Sequence, residues 1–63
     1  MNTTSERIEY VRGRIVERRQ IASDLRGQAI GAPVTDAAKC LKDAEVCEAV
    51  AEGMSRTLSI LFP

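Results

Sequence analysis

From Ala37 to Leu61, small and apolar residues recur at Ala37, Cys40, Ala44, Cys47, Ala51, Met54, Leu58 and Leu61. The spacing alternates three and four without a break, so all eight fall on one stripe of an α-helix, whereas a strand would scatter them over both its faces. A helix patterned this way has to lay its stripe against another helix. The first half of the chain supplies one. Ile8, Val11, Ile15, Ala22, Leu25 and Ala29 keep the same rhythm, with a single position, Arg18, taken by a charged residue. Hydrophobic residues make up 44% of the chain and aromatic ones 3%, too apolar for disorder and too poor in strand formers for an ordinary sheet domain.

Local signals divide the chain. Thr3-Thr4-Ser5-Glu6 is a capping box, with Thr3 as N-cap and Glu6 close to the positive end of the helix dipole. Gly31 accepts the left-handed conformation that ends a helix, and Pro33 cannot continue one. Either Thr35 as N-cap or Pro33 in the first turn starts the next helix. The expected fold is therefore all-α, one domain over residues 1–63, with helix 1 at about 4–30, a turn at 31–35 and helix 2 at about 36–61. A connection this short makes the helices antiparallel neighbours. With the turn near residue 33, Ile8 faces Leu58, Ile15 faces Ala51, Ala22 faces Ala44, Leu25 faces Leu41 or Cys40, and Ala29 faces Ala37. Gly13 and Gly53 lie inside the helices, each at a cost of about 1 kcal/mol relative to Ala.

Size argues for assembly. A compact 63-residue monomer buries about 6,000 Å², roughly 60% of it apolar. At about 25 cal/mol per Å² this contributes about 90 kcal/mol, and ordering the chain at about 1.5 kcal/mol per residue costs as much. An elongated hairpin buries less. Helix 2 also carries a second apolar stripe, Val46, Val50, Gly53, Thr57 and Ile60, that one neighbouring helix cannot cover. Within that face Ala49, Gly53 and Thr57 recur every four residues, small enough to let another helix 2 come close. The expectation is a homodimer in which two hairpins form a four-helix bundle.

Candidate chemistry is sparse. Nine basic and nine acidic residues give no formal net charge, which disfavours bulk attraction to nucleic acid or an anionic membrane. The halves differ, with residues 1–31 at +2 and residues 32–63 at −2. All six basic residues of helix 1 are Arg, the residue suited to bidentate phosphate or carboxylate binding. Tyr10, Arg14 and Arg18 form a candidate anion or RNA site, with Tyr10 the aromatic that could stack on a base. Arg18, on the seam opposite Cys47 and Glu48, has three outlets: snorkelling, pairing with Glu48, or binding an anion. Local pairs are expected between Glu9 and Arg12, Arg14 and Glu17, and Glu52 and Arg56. Cys40 and Cys47, seven residues apart on one helix, are about 10 Å apart and beyond disulfide reach. The chain has no His, so one copy cannot complete a structural zinc site, and no metal or cofactor is expected. With no phosphate-cradling loop and no nucleophile beside a base, an enzyme is not expected.

Ile60 and Phe62, in the apolar ending Thr57 to Pro63, point away from the seam and are expected under a dimer mate or in a groove on another protein. The polar run from Met1 to Tyr10 lacks the apolar stretch of a secretory signal, and no apolar run approaches about 18 residues. A cytoplasmic setting without a membrane partner is expected. The function these features imply is a small non-enzymatic interaction module, a regulator, inhibitor or adaptor of the kind phages, plasmids and bacterial operons encode, that binds a larger protein through apolar helix surface. The candidate residues for the dimer or partner are Val46, Val50, Gly53, Thr57, Ile60 and Phe62. The alternatives are an Arg-mediated binder of RNA or a phosphorylated small molecule, and a structural subunit of a larger assembly.

Overall fold

Helix α1 (Thr4–Ala29) starts where the capping signal places it. The Thr3 backbone is extended, and its hydroxyl accepts a 3.1 Å hydrogen bond from the Glu6 amide, satisfying one of the orphan donors of the first turn. At the other end Ile30 leaves the helix in an extended conformation while its amide donates to the Gly27 carbonyl at 3.2 Å. Gly31 then takes a φ of +80°, the left-handed conformation that reverses the chain. The computed structural model in which these features are seen describes residues 3–63.

Helix α2 (Val34–Leu61) begins two residues before the expected 36, at the Pro33 signal and not at Thr35. Pro33 itself occupies the N-cap position, where its missing N–H is no loss, and its carbonyl accepts from the Ala37 amide at 2.8 Å. Thr35 is consequently inside the first turn and does not cap it. The two helices pack side by side as an antiparallel hairpin, and the described residues hold no strand.

The core is narrow. Ile15, Ala22, Ala44 and Ala51 are its buried residues, and they are the two central facing pairs of the seam. Between them Arg18 and Cys47, and beyond them Ile8, Val11, Leu25 and Ala29 on α1 and Ala37, Cys40, Met54 and Leu58 on α2, are half-buried. Cys40 and Cys47 are free thiols. Leu61, the last seam position, is 63% exposed. The expectation that it joins the core fails because it stands opposite the first turn of α1, where Thr4, Ser5 and Glu6 offer nothing large and apolar.

One layer of two helices covers little. The molecule measures 47 × 21 × 13 Å, and its radius of gyration of 14.7 Å exceeds the roughly 11 Å of a compact chain this long. Its accessible surface is 4920 Å², against about 4,000 Å² for a compact monomer of 6.9 kDa. Eleven large hydrophobic residues are exposed among those described, including Ile30 and Val34 at the turn and Ile60 at the open end.

Replacing Gly31 by Ala forces a side chain into the left-handed region although space around it is open. We expect Gly31→Ala to cost about 1 kcal/mol of stability in urea denaturation. An unchanged midpoint would show that the turn does not depend on this conformation.

Candidate interaction surface

The hairpin has two broad sides of different chemistry. On one, Arg12, Arg19 and Arg26 of α1 recur every seven residues, and Glu48 and Glu52 of α2 lie across from them. Arg26 donates to the Glu48 carboxylate in an ion pair that joins the two helices. Arg19, Glu48 and Glu52 together line a shallow depression of about 360 Å³. The hydrogen bond from Arg26 holds the Glu48 carboxyl below the usual carboxylate range, outweighing the desolvation that opposes it. The same bond raises the Arg26 guanidinium above its ordinary value.

This pairing closes one of the three outlets open to Arg18. Glu48 is engaged by Arg26 and not by Arg18. Arg18 sits on the seam itself, half-buried, and makes no ion pair within 4.0 Å among the described residues. Arg26 flanks the seam on the side where Glu48 projects, and that shared side decides which Arg reaches it.

On the opposite side, near the open end of the hairpin, an apolar groove of about 630 Å³ runs between the helices. Val11 of α1 and Val50, Gly53, Met54 and Thr57 of α2 line it together with Phe62, and Arg7 is the single charged residue along it. The Thr57 hydroxyl donates to the Gly53 carbonyl at 2.9 Å, so its polarity is spent within the helix. The Phe62 amide donates to the Leu58 carbonyl at 2.8 Å, so the backbone of Phe62 closes the last turn of α2. Phe62 also borders a second groove of about 400 Å³ on the charged side, beside Ile8, Ile15 and Leu58.

Four of the six residues expected to meet a partner, Val50, Gly53, Thr57 and Phe62, are thus brought together in one groove. Val46 and Ile60 stand outside it, exposed on the same α2 stripe further from α1. The groove also takes in Val11, Met54 and Leu61, which sequence reasoning assigned wholly to the core; a single covering helix leaves the edges of those side chains bare. The signal was present in the spacing, since a one-layer hairpin covers a seam from one side only.

The candidate anion-binding residues are less well gathered. Tyr10 is exposed and shares a shallow groove with Glu6, Arg7 and Val11, while Arg14 is engaged by Glu17 at 3.1 Å. The expected local pairs Glu9 with Arg12 and Glu52 with Arg56 are present at 3.2 and 3.1 Å. The described residues contain no group of three or more His, Cys, Asp or Glu placed to hold a metal ion, and no helix long and apolar enough to cross a membrane. Comparison with known protein families, curated proteins and solved structures finds no match for this chain.

Because the folded Glu48 carboxyl titrates below its unfolded value, its contribution is present above the ordinary carboxylate range and is lost as pH falls through the folded value. We expect Arg26→Ala to move the Glu48 titration, followed by carboxyl-carbon NMR, upward toward the ordinary value. A titration that stays low in Arg26→Ala would assign the shift to another cause.

Proposed function

We propose that this protein is a non-enzymatic interaction module of the regulator, inhibitor or adaptor kind, working in the cytoplasm through apolar helix surface that another protein covers. Its first partner is a second copy, two hairpins forming a four-helix bundle. The observation that carries this reading is the poverty of the core: one Ile and three Ala are buried while eleven large hydrophobics are exposed among the described residues.

The area supports the same reading. The excess over a compact monomer, about 900 Å² per copy, is close to the roughly 800 Å² that each partner contributes to a standard stable interface. Exposed ion pairs do not make up the deficit, since pairs such as Arg12 with Glu9 and Arg56 with Glu52 contribute about 0.5 kcal/mol or less. The grooves are shallow and open to solvent, a shape that suits the side chains of a helix better than a small molecule enclosed on all sides.

Light scattering combined with thermal melting tests the proposal. A species of twice 6.9 kDa at micromolar concentration, with a melting temperature that rises as the protein is concentrated, is expected. A helical species of 6.9 kDa whose melting is sharp and independent of concentration would overturn it.

A further inference from the structure

We draw no further inference here: the strongest candidate, the apolar groove between Val11 of α1 and Val50, Met54 and Thr57 of α2 with Arg7 as its one charged residue, is an unpartnered face, and nothing in the structure shows what covers it.

Discussion

The strip along which α1 and α2 touch is narrow because alanine occupies its middle on both sides, at Ala22 and Ala44, with Ala51 against the single larger residue Ile15. Small residues let two helix axes approach closely, and close approach gives good packing over little area. The cost of that arrangement is that everything larger is pushed to the margins. Val11, Met54 and Leu58 are half-buried, and Val46, Val50 and Ile60 are exposed. A second layer is the usual way for a helical domain to complete its core, and this hairpin has none of its own.

Charge divides the two sides of the hairpin. Helix α1 carries six arginines and α2 five of the nine acidic residues, and the turn lays these opposite charges alongside each other. On one side they meet, with Arg26 bound to Glu48 and Arg19 beside Glu48 and Glu52. These groups are exposed, so they contribute more to register and to keeping that side wetted than to stability. The other side holds the apolar groove, where Val50, Gly53 and Thr57 lie with Arg7 as the one charged neighbour.

A working surface of this kind constrains function without naming a substrate. Cys40 and Cys47, the side chains most open to redox or metal chemistry, are half-buried in the seam. Exposed apolar side chains at the turn, Ile30 and Val34, lie some 40 Å from Ile60 and Phe62 by helix length, so one molecule presents greasy surface at both ends.

Local patterning made the helices, their seam and their turn legible from residues alone, because each depends on neighbours within a few positions: Thr3 on Glu6, Gly31 on its own φ, Ala44 on the spacing from Cys40 and Cys47. The second stripe of α2 was legible for the same reason. What only the tertiary structure decided was which long side chains meet and how much of the seam stays bare. Arg18 and Arg26 stand about 80° apart round α1 and about 12 Å apart along it, and which of them reaches Glu48 depends on how α2 lies against α1, just as whether Leu61 is covered turns on what α1 places opposite it. Spacing along one helix carries neither quantity, since both are properties of the pair.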